Sequence, residues 1–207
     1  MISSDSQQTA ESTLSGYRGD RPLRIDAQRR RDEILAAATA EFAEHGDGVP
    51  LDAIARQAGV GIGTLYRNFP GREVLLEAVY AAELAHVTAN AEGLLVEWEP
   101  EAALREWMAQ YAMFITGKRA MLPALSATSS PGRRTTTREL VTGAIETILE
   151  RGVAAGVFRA DVCAADITAL LQGAFFATTG DDGPERVARL LDLIVDVLLA
   201  RAHESGR

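Results

Sequence analysis

Cysteine occurs once in this chain, as Cys163. No disulfide can close within one molecule, so an oxidised, disulfide-held scaffold is excluded and a reducing compartment fits. Cys163 reads as a small residue near a helix start, with a redox-sensing thiol as the alternative. Lysine also occurs once, as Lys118, among 21 basic residues; so strong a bias towards arginine points to GC-rich coding before it points to function. The three histidines, His45, His86 and His203, stand too far apart for metal-ligand spacing, and no metal or cofactor is expected. No Gly-rich phosphate loop follows a strand, and no Ser/His/Asp arrangement is present. Catalysis is therefore not expected, and a helical-bundle enzyme is the catalytic alternative that survives. Asp192 and Asp196, one helical turn apart, read as surface charge. No apolar run reaches the roughly 18 residues of a membrane span. The opening MISSDSQQTAESTLSGYRGD lacks the apolar core of a signal peptide. A soluble, cytoplasmic protein with no membrane partner is expected.

Hydrophobic residues make up 47% of the 207, enough to build a core. The net charge of −8 argues at first against nucleic acid. The acidity is unevenly spread. Residues 1–72 hold 9 basic and 10 acidic side chains, whereas residues 73–207 hold 12 and 19. A DNA reader needs only a local basic face, which a balanced first third allows.

The periodicity is helical throughout, and about nine helices of an all-α fold are predicted. Residues 1–24 read as a disordered tail whose Arg18, Arg21 and Arg24 are either a solvated charge run or an arm for a DNA groove. Asp26 is the predicted cap of a helix with Ile34, Leu35, Ala38 and Phe42 on one face, stopped by Gly46. Short helices follow at Leu51–Ala58 and Ile62–Asn68, then a long one from Arg72. Glu99-Pro100 opens the next helix, running to about Lys118, with Pro at its first position. Met121–Ala127 is a candidate short helix, and Ser129-Ser130-Pro131-Gly132 a loop. Thr136 with Glu139 forms a capping-box pattern for a helix ending near Gly156. Asp161 is the predicted cap of a helix to about Thr179, and the last helix spans Pro184 to His203. Domain boundaries are expected at 24/25 and 71/72.

The stretch LDAIARQAGVGIGTLYRNF has the spacing of a helix-turn-helix. Ile54, Ala55, Val60 and Leu65 brace the two helices, and Ala58 and Gly59 permit a close crossing. The second helix is too short to be stable alone, so it exists to be held against something. Its outward side offers Gly61, Gly63, Thr64, Arg67 and Asn68, types that admit a nearby backbone and read base edges. Residues 29 to 80 resemble the DNA-binding domain of the tetracycline-repressor (TetR) family. The resemblance rests on Ile34-Leu35-Ala36-Ala37-Ala38, Phe42, Gly46, Ile54-Ala55, Ala58-Gly59-Val60, Thr64-Leu65-Tyr66, Phe69-Pro70 and Leu75-Leu76. It implies that Thr64, Tyr66 and Arg67 face the major groove or its phosphates, with packing on the first helix the alternative for Tyr66. It also implies that Arg72 contacts phosphate where the family usually has a lysine. Two departures stand out: Val49-Pro50 replaces the usual hydroxyl cap of the first of these two short helices, and Gly61 replaces a serine frequent at the start of the second.

The segment from Leu104 to Phe176 resembles the SbtR-like C-terminal subgroup. Trp107, Met108, Tyr111, Phe114, Met121, Leu149, Phe175 and Phe176 are the candidate lining of an apolar ligand pocket, with ordinary core packing as the plainer reading of each. The final helix is apolar over more than one face, so a second partner is expected for it. Ala169, Gly173, Leu191, Ile194, Val195 and Leu198 are the candidate residues of a homodimer interface. The function so implied is a DNA-binding transcriptional regulator, a repressor released from a palindromic operator by a small apolar ligand. An architectural DNA-binding protein without a ligand, and a protein-binding module, are the remaining alternatives.

Overall fold

The computed structural model describes residues 20–46, 48–118, 131–178 and 183–199. Eight helices follow one another in that range: α1 (Asp20–His45), α2 (Leu51–Gln57), α3 (Ile62–Asn68), α4 (Arg72–Glu97), α5 (Pro100–Gly117), α6 (Pro131–Ala154), α7 (Ala164–Ala177) and α8 (Gly183–Leu198). The fold is all-α. Among the described residues the nearest thing to a strand is an isolated bridge between Phe158 and Leu199. The candidate helix at Met121–Ala127 and the segment beyond Leu199 lie outside the described residues.

The chain divides into two compact units between Val79 and Tyr80, within α4 rather than at its start. In the first, Ile34, Ala38, Phe42, Ile54, Leu65, Phe69, Leu75, Leu76 and Val79 are buried. These positions recur at three and four residues along α1 and α4, so each helix turns one apolar stripe inward. In the second, the core gathers around Leu104, Trp107, Met108, Ile145, Ile148, Ile167, Leu171, Val195 and Leu198.

Most helix bounds follow from local chemistry. Pro100 opens α5, where its missing N–H has no acceptor to lose. The chain leaves α6 through Gly156 at φ +70°. There the Val157 amide donates to Gly152 O at 2.9 Å and the Gly156 amide to Val153 O at 3.0 Å. This paired closure satisfies two orphan carbonyls at the helix end. The Phe158 ring then folds back over Gly152, where a Cβ would lie 2.0 Å from the ring. The Arg159 amide takes Leu198 O at 2.9 Å, which fastens the end of α8 to the same connection.

Three expected caps are displaced. α1 starts at Asp20 rather than after Asp26; Pro22 falls in its first turn, where proline is tolerated. α6 starts at Pro131, so Thr136 lies inside the helix rather than at its start, and Pro131-Gly132 belong to the helix. Cys163, extended at φ −91° and ψ 136°, takes the N-cap position of α7 in place of Asp161. The Asp161 carboxylate is instead held by Arg159 at 2.6 Å, and that hydrogen bond lowers its pKa from the ordinary carboxylate value.

Candidate nucleic-acid interface

α2 and α3 are each seven residues long and are joined by Ala58–Gly61. The turn has the same paired closure as the end of α6. The Val60 amide donates to Ala55 O at 2.9 Å and the Gly59 amide to Arg56 O at 3.1 Å. Gly59 sits at φ +67°, the left-handed region that this closure needs and that a side chain resists. Gly61 is the N-cap of α3, extended at φ −72° and ψ 148°, without a side-chain cap. Its carbonyl accepts from the Thr64 amide at 2.8 Å. Leu65 is fully buried and fixes which side of α3 faces inward.

The outward side carries what the sequence suggested. Gly61, Gly63 and Arg67 are exposed and Thr64 is half-buried. Tyr66 is 49% exposed, so its ring is only partly covered and its hydroxyl end can reach a partner. A Cβ at Gly61 or Gly63 would meet nothing within 4 Å, so both present bare backbone to the outside. Arg67 donates to Thr64 Oγ1 at 3.0 Å, which places the cation and the hydroxyl together on one turn. Asn68 turns its amide back to Thr64 O at 2.8 Å and is half-buried, ending the helix rather than projecting from it.

Two arginines outside α3 hold this arrangement. Arg72, at the start of α4, donates to Val49 O and is half-buried. It thus clasps the segment before α2 that lacks a hydroxyl cap; Pro50 makes no side-chain cap bond. Arg31 on α1 donates to Asn68 O at 2.8 Å and lies 4.2 Å from the centroid of the Phe69 ring. Sequence reasoning passed over Arg31. Its signal was a run of three arginines, Arg29 to Arg31, in which only the helical phase tells the inward one from the others.

The second unit places the expected ligand residues unevenly. Trp107, Met108, Tyr111, Phe114 and Leu149 are buried. Trp107 stacks on Tyr111 with centroids 5.5 Å apart, and Tyr111 meets Phe175 edge-on at 5.6 Å. Trp107 Nε1 donates to Val87 O at 3.0 Å. Burial, with Tyr80 nearby, pushes the Tyr111 phenol above its ordinary range, so it stays neutral. Phe176 is 89% exposed, turned about 100° around α7 from Phe175, and does not join this cluster. Met121 lies outside the described residues. A groove of about 640 Å³ between α4 and α6 escaped the sequence reading. Thr88, Ala89, Gly143 and Ala144 line it with Leu140, Glu92 and Glu139, and no aromatic residue among them marks the site in the sequence.

The expected interface residues also divide. Ala169 and Gly173 are exposed, but Ile194, Val195 and Leu198 are buried in the chain's own core and Leu191 packs against it. The helical period explains this correction. Positions 187, 191, 194, 195 and 198 share the inward face, whereas Leu190, Leu193 and Val197 form a second stripe. Leu193 and Val197 are exposed, at 58% and 56%, and on α7 Leu170 and Phe176 are exposed with Ala169 and Gly173. Asp192 and Asp196 are not bare surface charges. Arg105 of α5 reaches them at 2.7 and 3.7 Å and also holds Glu101 at 3.1 Å.

Comparison with known proteins agrees with this geometry. Residues 34–79 match the model of bacterial regulatory proteins of the tetR family, and residues 99–200 match the SbtR-like C-terminal domain of transcriptional regulators. The chain belongs to the tetR family. It is 32% identical over 151 residues to the transcriptional repressor NicS of Pseudomonas putida, covering 66% of this chain and 69% of NicS. A 93-residue stretch is 28% identical to the repressor KstR of Rhodococcus jostii, covering 44% of each, so the chain spans under half of that relative. Among solved structures, the TetR regulator SCO0520 of Streptomyces coelicolor is 39% identical, with a TM-score of 0.68 over 83% of this chain and 99% of that one. As a tetR-family member, the protein is a DNA-binding transcriptional regulator with α2 and α3 as its helix-turn-helix.

Proposed function

We propose that the protein is a cytoplasmic, homodimeric repressor that reads a palindromic operator with α3 and is released by a small, largely apolar ligand. The observation that carries the DNA reading is the outer side of α3. There bare backbone at Gly61 and Gly63 stands beside Thr64, Tyr66 and Arg67, while buried Leu65 determines which side of the helix faces inward. Arg67 and Thr64 contact base edges, and Tyr66 and Arg72 contact phosphates. Asn68 serves the end of the helix. The dimer forms through the exposed apolar stripes of α7 and α8, with small Ala169 and Gly173 permitting close approach.

The ligand lies among the aromatic residues of α5 and Phe175, or in the groove between α4 and α6, whose volume is in the range of small-molecule sites. Both involve the second unit, and α4 continues unbroken from the first unit into it. A ligand that favours one position of α4 biases the spacing of the two reading helices, which an operator holds at about 34–36 Å or a multiple. The coupling is reciprocal and of the usual size, about 5- to 150-fold in affinity.

Gel shifts at several salt concentrations, on a site selected from a random duplex pool, test the reading. Arg67→Ala should change the preferred sequence and cost about 1–3 kcal/mol on the selected site. Arg72→Ala should lower the salt slope by about one unit, with an added loss because Val49 O is released. Unchanged affinity in both variants would sink the assigned orientation of α3. Operator binding indifferent to a broad set of lipophilic compounds would remove the ligand from the proposal.

A further inference from the structure

We infer that Arg31 is the residue that sets the position of the reading helix, and through it the sequence preference of the protein. The inference rests on α3 being the DNA-reading helix. α3 is seven residues long and buries a single side chain, Leu65. A helix of that length does not hold itself, and one buried leucine leaves it free to rock about that contact. The last carbonyls of any helix lack partners within it, and that end carries partial negative charge. Arg31 meets both conditions at once. One guanidinium nitrogen donates to the Asn68 carbonyl at 2.8 Å, and the flat group lies 4.2 Å from the centroid of the fully buried Phe69 ring. The contact joins residues 37 apart, so it ties α1 to the end of α3 directly.

The tie continues to the reading groups. The Asn68 amide holds Thr64 O at 2.8 Å, and Thr64 Oγ1 accepts from Arg67 at 3.0 Å. Arg31, Asn68, Thr64 and Arg67 are thus linked in one series, from the buried side of α3 to its exposed side. The neighbouring arginines do not share this role. Arg29 is exposed and faces Asp26 and Glu33, each at 3.6 Å, and Arg30 is exposed as well. In the sequence the three look like one basic patch for phosphates. In the structure Arg31 is half-buried and directed at a carbonyl and a ring. Arg31 is therefore a positioning residue, and its effect is on specificity rather than on general attraction to DNA.

The test compares wild type, Arg31→Met and Arg31→Lys on the selected site and on unrelated duplex, across a salt series, with helical content followed by circular dichroism. Wild-type preference for the selected site establishes the reading by α3; its absence would defeat that reading and not merely the role of Arg31. Arg31→Met keeps an apolar stem over Phe69 but loses the donor. It should bind the selected site about tenfold or more weakly, with binding to unrelated duplex and the salt slope unchanged. Arg31→Lys keeps the charge but not the flat fork, and should stay about threefold or more below wild type on the selected site. If the Met variant loses helical content, the Lys variant decides the matter by the same readings. A parallel loss on both DNAs with a salt slope reduced by about one unit, or full recovery by lysine, would make Arg31 a phosphate contact. Either result, or unchanged preference in the folded variants, overturns the inference.

Discussion

Among the described residues, those up to Val79 and those from Tyr80 onward are both helical, yet the charged side chains that reach from one element to another find different partners in the two units. In the first unit the two half-buried arginines go to backbone carbonyls, Arg31 to Asn68 and Arg72 to Val49, while exposed Arg29 pairs with Asp26 and Glu33 of its own helix. In the second unit charges go to each other: Lys118 to Glu83 at 2.6 Å, and Arg105 to Glu101, Asp192 and Asp196. Side-chain donors on carbonyls fix where a short helix stops. Charge pairs between long helices fix how those helices lie against one another. The reading head needs the first kind of control because its helices are too short to position themselves. The second unit has long helices and a stacked aromatic core, so the orientation of elements already formed is what remains to be set.

The sharpest way to break this comparison is to remove one member of the buried pair. Lys118 is 5% exposed, and an ammonium left there without its partner is costly. Glu83→Leu should lower stability by about 3 kcal/mol, at the low end for a buried pair because the Glu83 side chain is 26% exposed. Glu83→Leu combined with Lys118→Met should recover most of that loss, since two apolar groups satisfy each other. Urea denaturation of the three variants decides it. A single-variant loss below about 1 kcal/mol, the usual value of an exposed ion pair, would mean that water reaches the lysine.

A second test sharpens the comparison within α8, where two apolar stripes have different duties. Leu198 is fully buried in the core, whereas Leu193 is exposed. Leu198→Asp puts an unpaired charge inside the chain and should abolish cooperative folding. Leu193→Asp should leave a folded protein that sediments as a monomer, because the charge falls on the outward stripe. Its affinity for a palindromic site should fall about a hundredfold or more, as one reader must bind without the other. Wild-type protein that is monomeric at micromolar concentration, or a Leu193→Asp variant that remains dimeric, would refute the interface.

These contrasts also mark what the sequence could tell. The bounds of α2 and α3 to within a residue, the start of α4, and the outer face of α3 apart from Asn68 were legible because short helices and their junctions leave little freedom: each glycine, proline and apolar residue has one place to go. The core of the second unit was legible only as a set. Trp107 and Phe176 are both aromatic residues in apolar helical stretches, and composition cannot say that one is fully buried and the other 89% exposed. Phase decides that, and phase depends on where a helix is packed, which Tyr111 shows for Phe175 and nothing local shows for Phe176. The same holds for α8, where the residues expected at an interface, Leu191, Ile194, Val195 and Leu198, face the chain's own core and Leu193 and Val197 face outward. Long-range polar contacts were the least visible. Arg31 with Asn68 and Arg105 with Asp192 join residues 37 and 87 apart, and no local pattern announces either.

The smallest expected effect concerns the two glycines that flank Val60, which look alike in the sequence and differ in the backbone. Gly59 sits at φ +67°, where a Cβ is strained whatever space surrounds it. Gly59→Ser should therefore cost about 1 kcal/mol. Gly61 is extended, at φ −72° and ψ 148°, the conformation of an N-cap that any residue adopts. A Cβ there meets nothing within 4 Å, so a serine fits without displacing a neighbour. Its hydroxyl can accept from the first-turn amides of α3, which at present have no side-chain cap. Serine exceeds glycine at this position by only a few tenths of a kcal/mol, so Gly61→Ser should raise stability by about 0.3 kcal/mol. The gain should appear as slower hydrogen exchange at the Gly63 and Thr64 amides, the positions that a capping oxygen serves. Equal losses from the two substitutions would mean that Gly61 also needs a backbone closed to other residues. α3 would then begin differently from the helix described here.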